Sequence, residues 1–375
     1  MIEGPQGAQV VLDGRPVLLL CSNNYLGLAD HPRLRRAAAD AALSLGTSAG
    51  ASRLISGSMS IHAELEARLA DFEGTEAALL FGSGYLANTG TIAALARRGE
   101  AVFSDELNHA SIIDGCRLAG AETFVYRHAD TDHLEWGLRQ AAGRTALIVT
   151  DGVFSMDGDI APLTELAELS RRHGCRLLVD EAHATGSIGP GGRGSVAAAG
   201  LTDEVDVIVG TLGKALGGYG AYVCGSAAMV DFLVNSARPF IFSTAPPPPA
   251  VAAAQAALEL LAESPNLVER LRANAAALRD GLRSEGLEPI GSETQIVPLL
   301  VGEADDAMAL CERLLAEGIF AQAIRPPTVP PGTCRLRLTT MATHRIADLR
   351  HAARLIGAAA RDLGVAPGAV TALAA

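Results

Sequence analysis

Through its central stretch the chain repeats one pattern: a short apolar run that stops on a polar residue, a helical segment, then another apolar run. The runs are "AALLF" (77–81), "TALIVTDG" (145–152), "CRLLVDEAH" (175–183) and "VDVIVGTLG" (205–213). Apolar runs spaced by helices rather than by tight turns predict a parallel sheet with crossover connections, hence an α/β domain. The intervening segments carry helix signals. "IHAELEARLADFEG" sets Ile61, Leu65, Leu69 and Phe72 on one face and stops at Gly74, "YLANTGTIAALARRG" reads as a further helix, and "PLTELAELSRRHG" has a proline near its start and a glycine after its end.

"STAPPPPA" (243–250) is too proline-rich for a helix or strand interior and reads as a stiff turn into "AVAAAQAALELLAE". Beyond it the pattern changes to helices and antiparallel-looking strands, "TQIVPLLV" and "CRLRLTT". A chain of 375 residues suits a large domain plus a smaller one. The expected division is an N-terminal segment over 1–45, a large domain over 46–260 and a smaller α+β domain over 261–375. The closing "GVAPGAVTALAA" reads as a weakly ordered tail.

A net charge of −12 without a Lys/Arg block argues against nucleic-acid partners. The six cysteines have no C-x-x-C or zinc-like spacing, so reduced thiols in a cytoplasmic protein are expected and no metal site. "MIEGPQGAQ" lacks signal-peptide character, and no run of apolar residues is long enough for a membrane span.

Open parallel sheets bind ligands beyond the carboxyl ends of their strands. Four places qualify: Ser83–Gly84, Asp151–Ser155, Asp180–His183 and Thr211–Lys214. "GSGYLA" (82–87) opens a helix after a strand, so its amides can hold a phosphate. It also fits G-x-G-x-x-A with Asp105 about twenty residues on, the outline of a nicotinamide dehydrogenase. "GTLGKA" departs from a nucleotide-binding loop at Ile208 and Ala215. Lys214 reads either as a helix-entry lysine or as a carbonyl-reactive amine. Asp180 reads as a helix cap or as a buried carboxylate awaiting a cation. His109 and His183, taken singly, read as structural hydrogen-bonding groups.

Together, a phosphate cradle, a strand-end Asp, a His three residues on and a strand-end Lys are the parts of a pyridoxal 5'-phosphate site. "SNNYLGL", "FGSGYLAN", "DELNHASIIDG", "TDGVFSMDGD", "VDEAHATGSIGPGGRG" and "GTLGKALGG" resemble, in order and spacing, the α-oxoamine synthases, over roughly Leu18 to Ile356. These are fold-type I pyridoxal phosphate enzymes with an aminotransferase-like architecture, a mostly parallel large-domain sheet and a smaller α+β C-terminal domain.

The resemblance implies that Lys214 bonds the cofactor and then serves as base, that Asp180 pairs with its ring nitrogen, and that His183 and Ser155 meet its ring hydroxyl. It implies that His109 stacks on the ring and that Ser83, Gly84, Tyr85 and Thr211 hold the phosphate. Ser243 and Thr244 of a second subunit in a homodimer would complete the phosphate site. Asn23 and Arg337 would meet the amino-acid carboxylate, with Arg325 and Thr328 near the substrates. Of the two arginines in "CRLRLTT", Arg337 is expected to point inward and Arg335 outward.

"AIRPPTVPPGTCRLRLT" (323–339) resembles the biotin-pathway branch, which implies L-alanine and pimeloyl-CoA or pimeloyl-acyl carrier protein as substrates. Family members commonly carry an extra helix before the part matching "GAQVVLDG", so a shortened N-terminal arm is expected here. The other readings are a glycine acyltransferase of the same family, such as 2-amino-3-ketobutyrate ligase, the nicotinamide dehydrogenase, and a non-catalytic subunit of a heterodimeric synthase. The presence of Lys214 counts against the last.

Overall fold

A computed structural model describes residues 1–144, 146–291 and 293–365. The tail expected after Leu363 lies, from residue 366 on, outside the described residues. The chain forms two compact units, one of His31–Phe154 with Ile160–Ser264, the other of Met1–Asp30, Ser155–Asp159 and the chain from Pro265 on.

The larger unit is built on a seven-stranded sheet in the order Ala77–Phe81, Ala221–Gly225, Val207–Thr211, Arg176–Asp180, Ala146–Asp151, Ala101–Asp105, Glu122–Tyr126. All neighbours from Val207–Thr211 to Glu122–Tyr126 are parallel, and Ala221–Gly225 alone runs antiparallel to both of its neighbours. Apart from the largely exposed edge strand Glu122–Tyr126, the strands are buried and mostly apolar, as strands covered on both faces by helices are. Val149, Leu178, Val207 and Val223 lie in one fully buried cluster with Ala87 and Ile92 of the helix Gly84–Leu95. The helix Ser60–Glu73 buries Ile61, Leu65 and Leu69 and ends on left-handed Gly74.

The proline run resolves into a cap followed by a helix. Pro247 is the N-cap of Pro248–Glu263, and prolines at the first helical positions lose no hydrogen bond there. The helix Pro32–Leu45, assigned from sequence to the N-terminal segment, packs along Pro248–Glu263 within the larger unit, where Arg33 pairs with Glu259 at 3.2 Å and with Glu263.

In the other unit, Ile2–Glu3, Gln9–Leu12 and Arg15–Leu19 form an antiparallel run that gains Ile319–Phe320 as a parallel edge strand. A second sheet, entirely antiparallel, joins Ile296–Gly302, Cys334–Thr339 and Ala323–Ile324. The helices Asn266–Ser284, Ala304–Ala316 and Ile346–Asp362 bury Leu278, Leu310, Leu314, Leu349 and Ile356 against Leu299, Leu336 and Leu338. Among the described residues, no helix is long and apolar enough to cross a membrane.

Candidate active site

Within the larger unit, Asp180, His183, Lys214 and His109 lie at or just beyond the ends of the parallel strands. Asp180 and Asp151 are the last residues of adjacent strands and stand opposite one another in the ladder. Asp180 is 4% exposed; one carboxylate oxygen accepts from Asn88 Nδ2 at 2.6 Å, the other from the Ala182 amide at 2.9 Å. Asp151 accepts from the His109 amide at 2.8 Å. Burial first, and then the neighbouring charge of Asp180, lift the Asp151 carboxyl well above its ordinary pKa.

Lys214 follows the strand Val207–Thr211, half-buried, with Nζ 2.8 Å from His183 Nε2. His109 caps the helix Ala110–Ala119, where its Nδ1 meets the Ser111 hydroxyl at 2.7 Å and the Ser111 amide at 3.3 Å. Partial enclosure lowers the His109 pKa; Asp180 opposes this shift and the Lys214 charge adds to it. Ser83 is the N-cap of Gly84–Leu95, its hydroxyl accepting from the Leu86 amide at 3.2 Å. The Gly84 and Tyr85 amides, in the first turn, have no acceptor within the helix. A Cβ on Gly84 would meet nothing within 4 Å, so open space lies beside this positive helix end. Thr211 turns the chain toward the lysine, accepting from the Gly213 amide and donating to the Gly220 carbonyl, each at 3.2 Å.

These residues fit pyridoxal phosphate on physical grounds. The buried Asp180 carboxylate suits a protonated ring nitrogen, the amine of Lys214 suits a carbonyl, and the open helix terminus suits a phosphate.

The smaller unit holds a second polar group. Arg337 donates to the Ser155 carbonyl, to Asn23 Oδ1 at 3.3 Å and to the Tyr25 hydroxyl at 3.4 Å, while Tyr25 donates to Asn23 at 3.0 Å. The expectation that Arg335 faces outward is corrected: it is 7% exposed, as Arg337 is, and pairs with Asp157. Residues two apart on a strand share a face, and here that face receives both guanidiniums, which hold the loop Ser155–Asp159.

Arg325 and Thr328 are exposed in a turn closed by the Thr328 amide on the Arg325 carbonyl at 3.1 Å. Ser243 is half-buried and Thr244 exposed, the latter bridged to Ser52; neither hydrogen-bonds to the Lys214 group. Sequence reasoning missed Asn88, although it lies inside the quoted motif "FGSGYLAN", one helical turn past Gly84 and therefore on the same face. It also missed Asn108, which joins Asp151 to the Val149 carbonyl and Ser104. Asp105 is not open to a ribose: it is 2% exposed and accepts from the Leu107 and Ala129 amides and lies 3.0 Å from the His128 ring.

Comparison with known proteins gives the family. Residues 15–356 match the family model described as aminotransferase class I and II. An 8-amino-7-oxononanoate synthase of Geobacter sulfurreducens is 57% identical over 97% of this chain and 94% of its own length, and one of Geobacter metallireducens is 56% identical over the same shares. A serine palmitoyltransferase from S. paucimobilis, solved with bound PLP–myriocin, superposes with a TM-score of 0.94 at 35% identity, covering 97% of this chain and 93% of that one. An 8-amino-7-oxononanoate synthase structure from Francisella tularensis gives 0.80 at 27% identity over 92% and 98%. The nicotinamide reading falls with these matches. The chain belongs to the class I and II aminotransferase family of pyridoxal phosphate enzymes, and within it to the α-oxoamine synthases.

Proposed function

We propose that this protein is an 8-amino-7-oxononanoate synthase, joining L-alanine to a pimeloyl thioester with loss of the alanine carboxyl as carbon dioxide and release of the thiol. The observation that carries the substrate pair is the 57% identity, over nearly the whole of both chains, to a protein named for that product. Its test is product analysis by mass spectrometry with the cofactor-loaded enzyme. L-alanine with pimeloyl-CoA or pimeloyl-acyl carrier protein is expected to give 8-amino-7-oxononanoate. Turnover of glycine with acetyl-CoA in its place would move the assignment to the glycine branch.

Bound pyridoxal phosphate supplies a carbonyl for the substrate amine and an electron sink for breaking the Cα–H bond. The chain's residues do the rest. Lys214, its amine beside His183 Nε2, takes the Cα proton and returns it after carbon dioxide is lost. Asp180, its carboxylate oriented by the Asn88 and Ala182 donors, would pair with the cofactor's ring nitrogen. His109 would cover a ring face, His183 and Ser155 would meet the ring hydroxyl, and Ser83, Gly84, Tyr85 and Thr211 would take the phosphate, joined by Ser243 and Thr244 of a second copy in a homodimer. Arg337 offers a planar fork that matches the amino-acid carboxylate, with Asn23 beside it. Arg325 and Thr328 would lie near the substrates. Scattered thiols, all six unpaired, support a cytoplasmic setting.

A further inference from the structure

Asn88 is 1% exposed, and its side-chain amide is spent asymmetrically. Its Nδ2 donates both ways, to Asp180 Oδ2 at 2.6 Å and to Ser111 Oγ at 2.9 Å. Its Oδ1 is buried with no hydrogen-bond partner. Leaving a buried carbonyl oxygen unpaired forfeits its solvation with no bond to replace it. Turning the amide over would be worse, because it would set Oδ1 against a carboxylate and leave Asp180 without its donor. The orientation is therefore fixed by what the NH2 group holds.

The second of those bonds continues. Ser111 Oγ receives the Asn88 hydrogen, so its own hydrogen is free to point at His109 Nδ1, 2.7 Å away, and the Ser111 amide points at the same nitrogen. A ring nitrogen facing two donors is an acceptor, and the neutral ring must then carry its proton on Nε2. Every link has a fixed donor, and the links run outward from Asn88: Asp180 accepts from Asn88, Ser111 accepts from Asn88, and His109 accepts from Ser111.

We propose that Asn88 and Ser111 are positioning residues that tie the Asp180 carboxylate to the His109 ring through one hydrogen-bonded chain, fixing His109 as the Nε2–H tautomer. Neither residue touches the reacting atoms; each acts through its neighbour. The inference rests on the reading of Asp180 and His109 as cofactor-facing groups, and it gives a reason for tolerating an unsatisfied oxygen inside the helix that starts at the phosphate cradle. The amide has one role at the carboxylate and another at the hydroxyl, and only a side chain with two hydrogens on one atom performs both.

The test uses histidine-selective 15N labelling of the protein, with and without pyridoxal phosphate, the His109 signals being assigned by their loss in His109→Asn. In the wild type, His109 is expected to show a bare Nδ1 and a protonated Nε2. Ser111→Ala should turn this into a mixture of tautomers while His62, buried elsewhere in the same unit, keeps its signals. Asn88→Ala should do the same and weaken cofactor binding about tenfold, the scale of one hydrogen bond to a charged group. Ser111→Thr, which keeps the hydroxyl, should restore the single tautomer. A wild-type His109 protonated on Nδ1, or signals unchanged in both alanine variants with His62 intact, overturns the inference. A wild type that takes up no pyridoxal phosphate but retains the Nε2–H tautomer overturns the cofactor reading and leaves the chain of hydrogen bonds standing.

Discussion

Lys214 and Asp180 differ in what a conservative change leaves behind. Lys214→Ala removes the base and the amine together, so turnover is expected to fall at least about 10³-fold, and borohydride treatment of the cofactor-loaded variant should leave no pyridoxyl group covalently attached to the protein. Asp180→Asn keeps shape and burial but removes the charge that holds a ring proton. Cofactor uptake should survive while kcat drops about 10²-fold or more, read from absorbance and steady-state rates. A different residue governs stability. Glu73 is buried, its carboxylate accepting from the Tyr222 hydroxyl, and burial pushes its pKa up to about 8. The folded state thus keeps a proton that the unfolded chain releases near its ordinary 4.5. Stability on this account is full below that value and falls by up to about 1.4 kcal/mol per pH unit as pH rises toward 8. Glu73→Gln, which retains an acceptor for Tyr222, should flatten that slope in urea titrations run between pH 5 and 8.

At the level of elements, strands and caps carry the site, and their tolerances follow from close contacts. Gly210 pairs with Tyr222 on the neighbouring strand, and a Cβ there would come within 2.1 Å of the tyrosine ring. Gly210→Ala is expected to destabilise the protein by at least about 1–3 kcal/mol, measured by chemical denaturation, because the ring cannot move without abandoning Glu73. Ser83→Ala removes the cap bond to the Leu86 amide and should cost about 1 kcal/mol.

These elements were unequally legible. Three of the parallel strands, Ala146–Asp151, Arg176–Asp180 and Val207–Thr211, show in the sequence because each is an apolar run ending on Thr or Asp, and Ser60–Glu73 because its apolar face recurs at helical spacing; Ala101–Asp105 and the edge strand Glu122–Tyr126, whose residues are mostly exposed, were not read from the sequence. The antiparallel strand Ala221–Gly225 carries the same apolar signal as its neighbours, and nothing local states its direction. Lys214, Asp180 and the histidines are visible as strand-end groups. The Asn88–Asp180 bond joins residues ninety-two apart, and only the folded sheet brings them together. Arg335 was misjudged because alternation was applied within a pair of residues that share one face.

For the molecule as a whole, the two ends of the sequence belong to one unit. Arg15–Leu19 pairs with Ile319–Phe320, Val17 and Leu19 pack with Met341, and His344 Nε2 meets the Leu19 carbonyl at 3.1 Å. Deleting residues 1–20 should therefore abolish cooperative unfolding of that unit, seen as a lost or broadened calorimetric transition, although the residues removed lie some three hundred positions from their partners. The same interleaving recurs at Ser155–Asp159, a five-residue excursion that leaves the α/β unit after Phe154 and returns at Ile160. With the crossings after Asp30 and after Ser264, the chain changes unit four times. No single cut divides the gene into one coding block per unit, so a one-point exchange between related genes always leaves at least one unit a hybrid of two parents. Such a fold descends as a whole, and variation reaches it by point changes rather than by trading modules.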